Sequence, residues 1–462
     1  MVVDSALEAS PTSNQPRVSL AEPSILSASA LKSKLVLDTR NYFISKIIPG
    51  LMGLLTVMVF VRLVGYEQYG RYAVLVALVT ACATAAAGWL NQGILRFHSQ
   101  HQGTDEEQSF RRASYLGVLI SALLGSAIVF LIIWRGSIHS RFAAAAALML
   151  FVPMLVYMVE LTVLQASLRS SSVVGRESLR AAVCFAIPAT LVLVTRNRNY
   201  LVLLVGVGIG YLLPLAIKRT SGDRKKDSAI VGKVERYALN RIWNYGWPVG
   251  LWLGCQSCLV VSDRYFVQRF WGYAQAGVYA SVYDVIVRSF SLAFAPITLS
   301  VHSVLMHRWN QGDRRTTMSV LRKAMGCELL LFLPVPVALL FSNGVVARII
   351  LGKANLEAAR ALLPLAIGGF LWQLALLAHK PLELLCRTRR MLAGMGAALA
   401  LNVVGNFFLV PRFGFLASAC LSAASSALYL LLLLALVPVR EFSAASMRTA
   451  PDNLVQVEEQ AV

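Results

Sequence analysis

The residues of this chain that could do chemistry are charges set inside long apolar stretches. Arg288 lies about eleven residues into one such run, about 16 Å along a helix and so near the middle of a hydrocarbon layer. Asp284 sits one turn earlier on the same face, the spacing at which an acid pairs with a following base. Two readings follow: the pair neutralises itself for burial, or Arg288 exchanges Asp284 for an anionic ligand. Lys46, one turn inside another run, either reaches to the interface or meets an incoming phosphate. Arg96, Arg264 and Arg269 fall at the ends of runs, where they would make electropositive mouths. Glu160, Glu328, His379 and Glu383 lie toward run ends and are the side chains able to take up and release protons, hence the candidates for coupling to an ion gradient. Pro49-Gly50 is the preferred hinge, since Pro and Gly let a spanning helix bend. Cys255-x-x-Cys258 has redox spacing, yet no second pair or His cluster accompanies it, so it reads as packing and no metal site is expected. Paired carboxylates, a nucleophile elbow and a Gly-rich phosphate loop are all missing from the loops, so no enzymatic activity and no cofactor are expected.

The elements that must position these residues follow from composition and run length. Of 462 residues, 57% are hydrophobic and 14% charged, above the apolar share of about 45–50% usual in soluble domains. The apolar residues cluster in blocks of about 20, the length that crosses a ~30 Å hydrocarbon core as a helix. Twelve spans are predicted, at 42–64, 72–95, 114–134, 142–164, 179–195, 200–217, 244–266, 277–305, 325–346, 361–385, 391–410 and 415–439. The fold class is therefore an all-α polytopic membrane protein.

A net charge of +20 would suggest nucleic acid in a soluble chain, but these basic residues sit in short loops between spans, which excludes it. In one alternating set of connections there are 29 Lys and Arg against 12 in the other. By the positive-inside rule both termini are cytoplasmic. Residues 1–41 are expected to be a disordered tail, 42–217 a first lobe of six helices and 218–243 a basic linker. Residues 244–439 form a second lobe of six and 440–462 a C-terminal tail.

An internal repeat supports the division. Arg62-Leu-Val-Gly65-Tyr66-Glu-Gln68-Tyr-Gly70-Arg-Tyr72-Ala73 matches Arg269-Phe-Trp-Gly272-Tyr273-Ala-Gln275-Ala-Gly277-Val-Tyr279-Ala280 at seven of twelve positions with a constant offset of 207. Both copies follow an odd-numbered span, so the lobes form a parallel pseudo-repeat, an architecture of transporters whose cargo site lies between lobes.

Three stretches together resemble a known family. They are the two Gly-x-x-x-x-Gly-x-Tyr-Ala turns with Asp263-Arg264 ahead of the second; the run from Pro296 through His307-Arg308-Trp309-Asn310-Gln311-Gly312-Asp313; and Asn402 and Asn406 followed by Pro411, Gly414 and the small residues Ala417-Ser418-Ala419. The pattern resembles the polysaccharide-transport branch of the multidrug/oligosaccharidyl-lipid/polysaccharide flippase superfamily, the lipid-linked oligosaccharide flippases of O-antigen and exopolysaccharide type. That resemblance implies a multi-pass protein of the bacterial cytoplasmic (inner) membrane that moves a polyprenyl-diphosphate-linked oligosaccharide to the outer leaflet. It also implies membrane lipids and the glycan polymerase and export machinery as partners, and a proton or sodium gradient as the driving force. The alternatives are a multidrug/cation antiporter of the same superfamily and a membrane glycan polymerase or ligase.

Overall fold

The computed structural model describes residues 28–101, 107–136, 140–216, 233–352, 356–385 and 387–437, and the elements among them are helices. The first lobe comprises α1 (Ala28–Val64), α2 (Tyr66–His101), α3 (Glu107–Arg135), α4 (Arg141–Ala166), α5 (Ser170–Thr195) and α6 (Tyr200–Ala216). The second comprises α7 (Lys233–Asn310), α8 (Arg314–Phe332), α9 (Pro334–Leu351), α10 (Leu356–Ala378), α11 (Lys380–Leu384), α12 (Thr388–Phe413) and α13 (Phe415–Leu436).

These helices account for twelve crossings. Nine spans among the described residues are long and apolar enough, with α8 and α9 running together as Arg314–Leu351 and α10 with α11 as Ala358–Leu384. Two more come from α7. Its Gly272 has φ 83° and ψ 174°, outside the helical region. Across that break the Tyr279 hydroxyl reaches Asp263 at 2.6 Å, although a continuous helix would hold residues sixteen apart about 24 Å away. α7 is thus a hairpin of two arms folded at Gly272. The twelfth crossing is α6, whose 17 residues are at the lower limit for a span. Large side chains left exposed, such as Phe341 at 87% and Leu123 at 64%, face where hydrocarbon would lie.

Two boundaries differ from the sequence-based expectation. α1 begins at Ala28, so residues 28–41 are helical rather than tail; the run 30–37 is rich in Ala, Leu and Lys without Gly or Pro, a helix-forming composition that a search for uncharged apolar runs does not register. α7 begins at Lys233, inside the expected linker. Residues 1–27, residue 217 with the linker's first part (218–232), and residues 438–462, which include the C-terminal tail, lie outside the described residues.

The repeat has a structural meaning. Gly65 and Gly272 both adopt positive φ, 80° and 83°, which only glycine takes without strain. The second glycines of the two copies pack against each other's turns. A Cβ on Gly70 would lie 1.9 Å from the Tyr273 carbonyl oxygen, and one on Gly277 would lie 2.0 Å from that of Tyr66. The lobes therefore meet at this end of the bundle through reciprocal backbone contacts. Gln68 accepts a hydrogen bond from the Tyr200 amide at the start of α6 (3.1 Å). Arg62 and Tyr66 donate to the Ile349 and Leu351 carbonyls at the end of α9, at 2.6 and 3.0 Å. Further along, α2 crosses the first arm of α7 where Gly246, Gly250 and Gly254 lie against Ala85, Gly88 and Trp89. Small residues there let two spanning helices approach closely.

Candidate functional site

A polar knot fixes the second lobe around the α7 hairpin. Asp263, 1% exposed, accepts from the Tyr279 hydroxyl at 2.6 Å and from the side-chain amides of Asn402 and Asn406 at 2.9 Å each. The Ser418 hydroxyl donates to the Asn406 carbonyl oxygen. Asn402 and Asn406 are one turn apart on α12, Ser418 opens α13 after Gly414 turns the chain at φ 64°, and Tyr279 follows the Gly272 turn. Two of the three sequence stretches thus converge on one carboxylate, and each buried donor is satisfied, as an apolar setting requires.

The neighbouring Arg264 points the other way. It donates to the Ala73 carbonyl of α2 in the first lobe (3.1 Å) and to Asp284 on the second arm of α7, and its guanidinium carbon lies 5.8 Å from the Tyr283 ring centre. Two sequence expectations change here. Arg264 does not stand at a mouth; it is 4% exposed and joins the lobes. Asp284 pairs with Arg264 instead of with Arg288 one turn on, because the hairpin brings the facing arm's guanidinium onto it.

Arg288 has no ion-pair or hydrogen-bond partner among the described residues. Its guanidinium lies against Gly53 of α1, where a Cβ would come within 2.0 Å of Nη1, so the glycine makes the room. Gly50, three residues earlier, seats Leu292 one turn after Arg288. The expected Pro49-Gly50 hinge is thus where α1 packs on the second lobe. Arg288, Asp284 and Tyr283 line a cavity of about 250 Å³ bounded by α7, α10, α12 and α13. Arg288 stands where this cavity meets the first lobe.

The remaining candidates are dispersed. Lys46 is exposed on α1, within electrostatic range of Glu177 on α5. Arg96 is exposed with its guanidinium 5.8 Å from the Tyr245 ring centre, and Arg269 is exposed beside the Gly272 turn. Glu160 pairs with Arg176 at 3.6 Å. His379 and Lys380 contact Glu383 at 3.6 and 2.6 Å where α10 meets α11. Glu328 on α8 is fully buried, with the Thr298 hydroxyl of α7 as its polar neighbour. No group of three or more His, Cys, Asp or Glu among the described residues could hold a metal ion.

Sequence reading missed two features. Asp263, Tyr279, Asn402 and Asn406 were visible only as motif residues. A second buried cluster in the first lobe joins Glu177 to Arg180 through two contacts of 2.9 and 3.2 Å, with the Tyr157 hydroxyl on the same carboxylate at 2.6 Å. Its signal was an acid three residues before a base at the start of the fifth predicted span.

Comparison of the sequence finds no matching family model and no similar curated protein. Solved structures do match. Lipid II flippase MurJ, in an inward closed conformation, aligns with TM-score 0.66 at 15% identity, over 92% of this chain and 96% of that one. An inward-facing multidrug resistance MATE family transporter of the MOP superfamily aligns with TM-score 0.64 at 14% identity, over 88% and 99%. The chain has the MOP superfamily fold. A further MOP superfamily transporter, from Pyrococcus furiosus, aligns with TM-score 0.60 at 13% identity over 90% and 97%. The full length of the MOP fold is present, and the chain is a multi-pass membrane protein whose structural relatives are transporters.

Proposed function

We propose that this protein is a flippase moving a polyprenyl-diphosphate-linked oligosaccharide from the cytoplasmic to the outer leaflet by alternating access. Arg288 carries the reading. A guanidinium inside a membrane-spanning bundle is costly unless paired, and its one near acid is engaged by Arg264. The cavity therefore presents a cation ready for an anion, and the planar fork of Arg suits phosphate oxygens. The fold shared with a protein named as a lipid II flippase supports a lipid-linked cargo.

In this reading the protein sits in the bacterial cytoplasmic membrane with both termini inside, so the Gly65/Gly272 end faces outward and its reciprocal glycine contacts hold the outer mouth shut. Glu328, Glu160, His379 and Glu383 are the groups proposed to couple transport to a proton or sodium gradient, and Lys46 and Arg96 to attract the cargo at the cytoplasmic side. Glycan polymerase or export proteins are its proposed partners.

The test is movement of a fluorescent lipid-diphosphate-linked oligosaccharide in proteoliposomes, comparing the intact protein with Arg288→Ala at matched insertion. Transport by the intact protein and at least a tenfold loss in the variant are expected. A second reading, a multidrug/cation antiporter, draws on the similarity to multidrug resistance MATE family transporters. Failure to move the lipid under either gradient, together with export of small organic cations, would establish that reading in its place.

A further inference from the structure

The second-lobe cavity holds more polar groups than a diphosphate requires. Besides Arg288 it is lined by Gln256 from the first arm of α7, Gln373 from α10, and Ser422, Ser425 and Ser426 from α13. None of these five has a hydrogen-bond partner among the described residues. The Ser425 hydroxyl is itself sealed from solvent, with the residue 1% exposed, and is left unsatisfied. Many serine and threonine hydroxyls elsewhere in this bundle turn back onto their own helix, as Thr56, Ser114 and Thr162 do onto Met52, Phe110 and Met158; the Ser178 and Ser262 hydroxyls share the unpaired state of Ser425, but neither lines this cavity. A helical bundle in hydrocarbon does not leave such groups empty without reason, because an unpaired buried donor costs its full desolvation.

The same wall carries an aromatic surface. Trp372 lines the cavity and stacks with Tyr429 and Trp252, at centroid distances of 5.8 and 6.4 Å. The Trp252 indole donates to the Tyr429 hydroxyl at 2.8 Å, which holds the three rings in one arrangement. Neutral donors and acceptors beside a fixed aromatic ring match one ligand chemistry well: a sugar ring, with hydroxyls around its rim and C–H groups on its faces. An organic cation would want a free acid here, and an acyl chain would want no amides.

We propose that this cavity is a monosaccharide subsite that receives the sugar attached directly to the diphosphate. Its volume, about 250 Å³, is enough for one pyranose ring. Arg288 on the same wall places the phosphate next to it. Gln256, Gln373 and the serines take the ring hydroxyls, and Trp372 takes an apolar face. The subsite makes recognition depend on the first sugar while the rest of the glycan stays outside it. This inference rests on the flippase reading and adds the chemical class of ligand that reading leaves open.

The experiment compares binding of two probes to purified protein: polyprenyl diphosphate alone, and polyprenyl diphosphate bearing one glucose, galactose or N-acetylglucosamine. The readout is the ratio of affinities, sugar-bearing over bare. A ratio of about tenfold or more is expected for at least one sugar. Gln373→Met and Ser425→Ala, which keep volume and fold, should each lower it about fivefold, the effect of one hydrogen bond. Trp372→Phe should lower it less than Trp372→Ala. Tight binding of the bare lipid with no gain from any sugar, or a gain that the variants leave intact, overturns the subsite and leaves the flippase reading standing; a cavity holding only water gives the first of these results. Binding of neither probe overturns both.

Discussion

The reciprocal glycine contacts between the lobes make a quantitative prediction. A Cβ on Gly277 would lie 2.0 Å from the Tyr66 carbonyl oxygen, short of ordinary contact at 3.4 Å by about 1.4 Å. The neighbour is backbone, so no side chain can swing away. Either the arms part or the strain stays. Overpacking of this kind costs about 1–3 kcal/mol, and the cost falls on the state in which this end is closed. A two-state equilibrium biased by that amount shifts roughly 5- to 150-fold. Gly277→Ala should therefore open this end of the bundle. Cross-linking of Arg71→Cys to Tyr273→Cys by a short bifunctional thiol reagent, in a cysteine-free background, reports it, because the two native side chains meet in the closed state, with the Arg71 guanidinium carbon 4.5 Å from the Tyr273 ring centre. Cross-linking should slow at least fivefold in Gly277→Ala and in Gly70→Ala. It should be unchanged in Gly396→Ala, where an added Cβ meets nothing within 4 Å. Unchanged cross-linking in a folded Gly277→Ala protein would refute the account of how the lobes close.

Three further outcomes follow from the geometry. Asp263→Asn keeps the shape of the knot but turns an acceptor for three donors into a group that also donates; thermal unfolding in detergent should show a loss of about 1–3 kcal/mol, and unaltered stability would mean the knot does not hold the second lobe. Glu328→Gln should fold as stably as the parent, since the amide oxygen can still accept from the neighbouring Thr298 hydroxyl; transport driven by a proton gradient should fall to the rate seen without a gradient, and full gradient dependence would remove Glu328 from coupling. Asp313 caps α8, and hydrogen bonds from the Thr316 hydroxyl and from the Thr316 amide at 3.0 Å hold its carboxyl below the usual range. Its contribution should be complete above the ordinary carboxylate pKa and vanish as pH falls through the lowered one. The difference in melting temperature between the parent and Asp313→Ala should shrink as pH falls, and a constant difference would contradict the cap.

Much of this molecule is legible in its sequence because the signals are local. The length of an apolar run decides whether a helix can cross, and charge bias between loops is counted along the chain, so twelve crossings follow without coordinates. The repeat at a 207-residue offset marks glycines whose conformation is a property of each turn alone. Even Arg288 stands out, since a charge deep in an apolar run is anomalous wherever its helix packs. Partnership is different. Asp284 lies one turn from Arg288 in sequence, yet it binds Arg264 because the chain reverses at Gly272 and lays one arm on the other. Asp263 gathers Tyr279, Asn402 and Asn406 across as many as 143 residues, and no periodicity within a single helix encodes that meeting. The rotational setting of a helix in hydrocarbon is chosen by packing and not by an apolar stripe, because lipid is as apolar as the core. For that reason the sequence by itself determined how many helices cross, where the chain turns and which charges are out of place. Only the tertiary structure decided which of those charges are already paired, which one is left facing a cavity, and what else lines it.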